Sequence, residues 1–269
     1  MMGRPLAGDS TQVGRQKMIQ IHPLLDGPFR EASALNPGEI QVWRVSLAAT
    51  PARERNLKAG LSAGELRQAD GFHFAADQRR FIVRRAVLRC LLSAVLDLPP
   101  NQIRYVVGVH GKPALPNHLN PKGIRFSCTH SGDWALIALA VNGELGLDLE
   151  MHREIPEVQA LAQSHFSAGE VAELTALPLT RQITGFFNGW SRKEAFVKAI
   201  GVGLSYPLSH FTVSLMSAHG VVPLAVADDA AMRRRWTLVS LELLEQFSAA
   251  LVFEANQATA IRCLAWDGD

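Results

Sequence analysis

WALIALAVNGELGLDLE, residues 134–150, contains two β-like runs joined by Asn142-Gly143. An Asn-Gly pair suits the positive φ of tight turns, and between two extended runs it is a strong hairpin signal. The first run is apolar throughout and reads as a buried strand. The second alternates. Successive strand side chains point to opposite faces, so Leu147 and Leu149 share one face and Asp148 and Glu150 the other. Two acids on one face repel each other when both ionise. A divalent cation removes that repulsion, because magnesium prefers hard oxygen ligands. The plain alternative is an amphipathic strand whose acids face water.

Upstream, IQVWRVSL (40–47), IRYVVG (103–108) and IRFSCTHS (124–131) read as strands, and TPARERNL (50–57) as a polar connection. LSAGELRQADGF (61–72) starts a helix at Ser62, three residues before Glu65, the spacing of a capping box. RRFIVRRAVLRCLLSAVLDL (79–98) has apolar residues at helical spacing and stops before Pro99-Pro100. Arg80 and Arg84 share one face of that helix and Arg85 and Arg89 another, read simply as a solvated rim. Downstream, a helical block from Glu157 to Ile200 is interrupted near Pro178. Strands return at 211–215, 235–243, 248–255 and 260–266. The fold class is α+β with mainly antiparallel sheets. A seam at Asn142-Gly143 separates an N-terminal half (19–143) from a C-terminal half (144–269), with 1–18 expected as a flexible tail.

The chain has 269 residues, 48% hydrophobic and 19% charged with net charge +2, which fits a globular protein and argues against a general nucleic-acid binder. Cys90, Cys128 and Cys263 form no CxxC pair, so a disulfide framework or zinc site is not expected and a reducing cytoplasm is. No apolar run approaches the roughly 18 residues of a membrane span. The first residues lack a hydrophobic signal core, so neither secretion nor a membrane location is expected.

Three further stretches carry chemistry. In VHGKPALP (109–116), Gly111 permits close backbone approach and Lys112 offers a point charge to phosphate; a bare turn is the plain alternative. In FSCTHSGDWA (126–135), His130 ends a strand among small hydroxyl residues and can donate to a phosphate oxygen, or else belongs to a turn. In FFNGWSRKEAFVKAIGVGLS (186–205), Trp190, Glu194 and Lys198 fall on one helical stripe. That helix is apolar around most of its circumference and should be buried. A buried glutamate must be paired, protonated or metal-bound, and Lys198 alone could pair with it.

GKP, F-x-x-T-H-S-G, G-L-D-L-E and W-S-R-K-E-A-x-x-K-x-x-G-x-G-L stand in the order and spacing of the Sfp-type 4′-phosphopantetheinyl transferases, which this sequence resembles from about Arg79 to Val213. The resemblance implies a pseudo-dimer of two similar α+β halves with the site between them. It implies that Asp148, Glu150 and Glu194 hold Mg²⁺, and that Lys198 contacts the phosphates of coenzyme A. His130 would bind the same phosphates and Lys112 would lie near them. Arg89 matches a basic residue of the preceding helix near the ligand, and Glu170 a further acid. Ser127 stands where many members have asparagine, and Ala114 where an aromatic is frequent.

The implied reaction moves the phosphopantetheine arm of coenzyme A onto a serine of an acyl or peptidyl carrier protein and releases 3′,5′-ADP. Glu194, Lys198 and His130 are the catalytic candidates. The base stays open between Glu194 and a water held by Glu150 or Glu170. A monomer is expected, since the pseudo-dimer replaces a second chain. The competing readings are an Mg²⁺-dependent hydrolase of coenzyme A or a related nucleotide diphosphate, and a non-catalytic carrier-binding module.

Overall fold

The computed structural model describes residues 19–26, 34–203, 206–226 and 230–266; the expected tail 1–18 lies outside the described residues. The first half runs β1 (Gln20–Asp26), β2 (Glu39–Ser46), α1 (Pro51–Lys58), α2 (Ala63–Asp70), α3 (Ala75–Leu96), β3 (Val106–Val107), β4 (Pro113–Ala114), β5 (Ile124–Ser131) and β6 (Trp134–Val141). The second runs β7 (Leu145–Met151), α4 (Val158–His165), α5 (Ala168–Ala176), α6 (Leu179–Ile200), β8 (Phe211–Val213), β9 (Gly220–Val222), β10 (Leu224–Val226), α7 (Ala230–Arg235), β11 (Trp236–Leu241), β12 (Phe247–Glu254) and β13 (Ala260–Trp266).

Among the described residues, one large sheet has the order β1-β13-β2-β6-β5 and a second β7-β12-β11-β9, with two-stranded ribbons β3-β4 and β8-β10 beside them. Pairing is antiparallel except where β13 runs parallel to β1 and β2. The chain's last strand thus crosses the expected seam and completes the first half's sheet. One apolar core lies beneath α3, a second joins residues of both sheets, and a third lies beneath α6.

The expected hairpin at Asn142-Gly143 does not form. Both residues have positive φ, 59° and 68°, as the turn signal required. β6, however, pairs with β2 and β5, whereas β7 pairs with β12. The turn passes the chain from one sheet to the other. TPARERNL is also not a plain connection: Thr50 caps α1 by accepting from the Arg53 N–H, with Pro51 in the first turn. The block from 157 breaks once more than expected, where Ser167 caps α5.

The two halves follow one plan: a strand, two short helices, a 22-residue helix, a two-stranded ribbon and two long strands. Ser62–Glu65 and Ser167–Glu170 form matching capping boxes. Each boxed glutamate also meets a buried cation of the long helix, Glu65 with Arg89 at 2.6 Å and Glu170 with Lys193 at 2.8 Å. Each cation then donates to carbonyls of the following 3₁₀ turn, Arg89 to Pro100 and Ile103, Lys193 to Leu208 and Phe211.

This network answers two expectations. Arg89 is only 2% exposed, and its Nε and Nη1 donate inside the first half, to Glu65 and to the Pro100 and Ile103 carbonyls. Glu170 is wholly buried, bonded to Lys193 and to the N–H groups of Ser167 and Val213. Neither faces the cleft described below.

Laying α3 on α6 end to end sets Cys90 against Glu194 and Ala94 against Lys198. Superposing the β2–β6 register on β7–β12 sets Trp43 against Asp148 and Val45 against Glu150. The charged set of the second half is apolar in the first, where those residues belong to the core beneath α3.

Candidate active site

β5 and β7 are the facing edges of the two sheets. Side chains bridge them: Ser127 Oγ accepts from the Leu147 N–H at 3.1 Å, and Ser131 Oγ from the Met151 N–H at 3.0 Å. Ser127, the departure noted at an asparagine position, therefore acts as a strand clasp. Between the two serines, Thr129 Oγ1 donates to Asp148 Oδ1 at 3.1 Å.

On the other side, α6 packs directly on β7. Gly146 permits this approach, because a Cβ there would stand 2.1 Å from the Ala195 carbonyl oxygen. The alternation of β7 turns Asp148 and Glu150 toward the stripe of α6 that carries Trp190, Glu194 and Lys198. All five line one cleft of about 380 Å³, with Arg84, Cys128, Thr129 and His130 opposite. Lys198, which could have paired with Glu194, instead donates to Asp148 Oδ1 at 2.5 Å.

The carboxylates disturb one another. Glu150 is pushed up to about 7, first by burial and then by the charge of Asp148, with Arg153 and Lys198 opposing and Glu194 adding a little. Glu194 is also raised, by burial and then by Asp148. Asp148 Oδ2 and Glu194 Oε1 are buried oxygens without a hydrogen-bond partner. Among the described residues, no three His, Cys, Asp or Glu side chains are drawn close enough to form a ready metal cage.

His130 stands at the mouth of the cleft. Desolvation, then the charges of Arg84, Lys198 and Arg80, lower its imidazole to about 4 against the opposing pull of Asp77. It is a neutral hydrogen-bonding group at neutral pH and not a cation.

A second cavity of about 320 Å³ adjoins the cleft, sharing Arg84, Cys128 and Lys198 as a common wall. Phe126, Leu88 and Val197 give it an apolar lining, and Arg85 and Lys112 lie at its margin. Lys112 Nζ is held by Glu144 at 2.7 Å and by the Leu145 carbonyl, so here it ties the GKP turn to the start of β7.

Residues 144–252 match the family described as the 4′-phosphopantetheinyl transferase superfamily, and residues 50–142 the one described as 4′-phosphopantetheinyl transferase, N-terminal. The 4′-phosphopantetheinyl transferase HetI of Nostoc sp. is 34% identical over 167 residues, covering 62% of this chain and 70% of that protein. The 4′-phosphopantetheinyl transferase psf-1 of Bacillus pumilus is 35% identical over 176 residues, 65% and 72% of the two chains. Sfp of Bacillus subtilis is 31% identical over 144 residues, 54% and 62% of the two. This chain belongs to the 4′-phosphopantetheinyl transferase superfamily.

Of the residues singled out in this phosphopantetheinyl transferase, Asp148, Glu150, Glu194, Lys198 and His130 come together, and Lys112 borders the neighbouring cavity. Arg89 and Glu170 do not join them. The reading of Arg84 as a solvated rim fails, since it lines both spaces, as Arg85 lines one. No signal in the sequence separates Arg84 from a surface arginine, because the strand that encloses it lies more than forty positions away.

Proposed function

We propose that this enzyme transfers the 4′-phosphopantetheine arm of coenzyme A to a serine hydroxyl of an acyl or peptidyl carrier protein, releasing 3′,5′-ADP, with Mg²⁺ as cofactor. The observation that carries this reading is the convergence of three carboxylates with Lys198 and His130 on a cleft that opens into a cavity lined by arginines and apolar side chains.

The chemistry of the carboxylates suits a divalent cation, although the side chains are not drawn into a ready cage. Two of their buried oxygens lack any donor, and Glu150 and Glu194 are held above the ordinary carboxylate range by burial first and then by the charge of Asp148. Asp148, Glu150 and Glu194 would hold Mg²⁺, which supplies Lewis-acid polarisation of a phosphoryl oxygen when bound. Lys198 places an ammonium at the same point and would neutralise charge on the leaving phosphate. His130 offers a neutral donor to a phosphate oxygen. The serine proton would pass to a carboxylate of the cleft, Glu150 or Glu194. Glu170 has both oxygens occupied and does not serve.

Three unpaired cysteines among the described residues support a cytoplasmic enzyme. A monomer suffices, because one chain supplies both sides of the cleft. Chromatography of the products tests the reaction. Release of 3′,5′-ADP should require an apo carrier and vanish when the carrier's acceptor serine is replaced by alanine. Release without any carrier would support a hydrolase instead.

A further inference from the structure

Arg84 stands where the acid cleft meets the second cavity and lines both. Its Nε is enclosed without a hydrogen-bond partner, and among the described residues no carboxylate pairs with it. Burial works against its charge, Arg85 adds to that, and the guanidinium is pushed below its ordinary value despite Cys128. A half-buried arginine with no acid beside it is costly unless an anion arrives.

Its Nη1 lies 3.1 Å from Nδ1 of His130. A guanidinium has donors only, so this contact is a hydrogen bond when Nδ1 carries a lone pair and the ring proton sits on Nε2. The groups facing the imidazole agree. Arg84 and Arg80 from α3 and Lys198 from α6 oppose a second proton, and only Asp77 favours one. Asp133 is already bound to Arg80 at 2.8 Å.

We propose that Arg84 is a positioning and specificity residue: it holds His130 as the Nε2–H tautomer, and its guanidinium receives the diphosphate of the substrate where the two spaces join. This rests on coenzyme A as the donor substrate. Lys198 and Arg84 supply positive charge from opposite helices, and His130 supplies a directed neutral donor between them. A diphosphate reaches across the shared wall, whereas a single 5′-phosphate engages one side of it. Affinity for coenzyme A therefore depends on Arg84 more than affinity for 3′,5′-ADP does.

The first test is ¹⁵N NMR of the imidazoles in the ligand-free full-length protein near neutral pH. His130 is assigned among the nine histidines by its loss in His130→Asn. The expected spectrum shows a protonated Nε2 and a bare, hydrogen-bonded Nδ1, and Arg84→Met gives a tautomer mixture. In calorimetry, Arg84→Met should weaken coenzyme A on the order of tenfold or more, the loss of one charge-assisted hydrogen bond, and 3′,5′-ADP clearly less. Arg84→Lys, which keeps the charge, should recover part of that loss, and it serves alone if the methionine variant does not fold. An Nδ1–H tautomer or an imidazolium in the unsubstituted protein overturns the positioning role. Equal losses for both ligands, or none, overturn the specificity role. If the unsubstituted protein binds no coenzyme A, the substrate reading falls together with the specificity role, and the NMR spectrum alone judges the positioning role.

Discussion

Lys198 Nζ donates to Asp148 Oδ1 at 2.5 Å, joining α6 to β7, while Oδ2 of the same carboxylate is buried with no partner. One oxygen is thus tied to the transferase's own cation, and the other is free to accept a second. Asp148→Ala should lower the transfer rate on the order of 10²–10³-fold, the scale of removing one preorganised electrostatic contact. The remaining activity should respond little to Mg²⁺. Because Lys198 is about a third exposed, the stability cost should be only about 1 kcal/mol. A normal rate at limiting Mg²⁺ would remove Asp148 from the metal site.

Glu150 gives a pH signature. Its carboxyl is raised to about 7 from an ordinary 4.5, so across that window the folded state holds a proton that the unfolded chain releases. The group's stabilising contribution is therefore complete below 4.5 and is lost as pH rises through 7. In EDTA, Glu150→Gln should flatten this decline, by about 1–2 kcal/mol after allowance for solvent screening. His130 has the opposite sign, losing stability as pH falls from 6.5 toward 4, so the comparison of variant with parent isolates Glu150. Mg²⁺ should raise the Tm more near pH 7.5 than near pH 5, because binding must displace that proton. An equal rise at both values would contradict the site.

Lys193 and Glu194 are adjacent in sequence and should behave oppositely. Lys193 is fully buried against Glu170 and two carbonyls, so Lys193→Met should cost about 3–5 kcal/mol in chemical denaturation by stranding a buried carboxylate. Arg89→Met should act the same way through Glu65, without raising the KM for coenzyme A. Glu194→Gln should keep or gain stability while losing transfer, since burial, and then repulsion from Asp148, already hold that carboxyl above its ordinary range. A stable Lys193→Met protein would show that the capping-box network contributes little.

Gly146→Ala probes the close approach of α6 and β7. The added Cβ would meet the Ala195 oxygen at 2.1 Å and the Ala199 nitrogen at 2.3 Å. These are backbone atoms and cannot step aside. A loss of about 3 kcal/mol is expected, with reduced transfer as Glu194 and Lys198 shift away from Asp148. Unchanged activity would mean that this spacing is not needed.

The make-up of the candidate cleft was legible because most of its lining lies in two short periodic runs. Alternation put Asp148 and Glu150 on one face, and four-residue spacing put Trp190, Glu194 and Lys198 on one stripe. Pairing across the chain was not legible. Asn142-Gly143 announced a tight turn truly, but a local signal cannot say whether the flanking strands bond to each other or to distant partners. Arg84 and Arg89 look alike on a helical wheel. Their difference comes from His130 in one case and Glu65 in the other, neither visible from α3 alone. Two misreadings had signals available: Thr50-Pro51 is a good helix start, and Ser167–Glu170 repeats the spacing used at Ser62–Glu65.

The most direct measurement is intact mass spectrometry of apo acyl and peptidyl carrier proteins incubated with this chain, coenzyme A and Mg²⁺. A gain equal to one phosphopantetheine group on at least one carrier, abolished by EDTA and restored by added Mg²⁺, is the expected result. An unmodified mass on every carrier while coenzyme A still binds, or full modification in EDTA, would contradict the account.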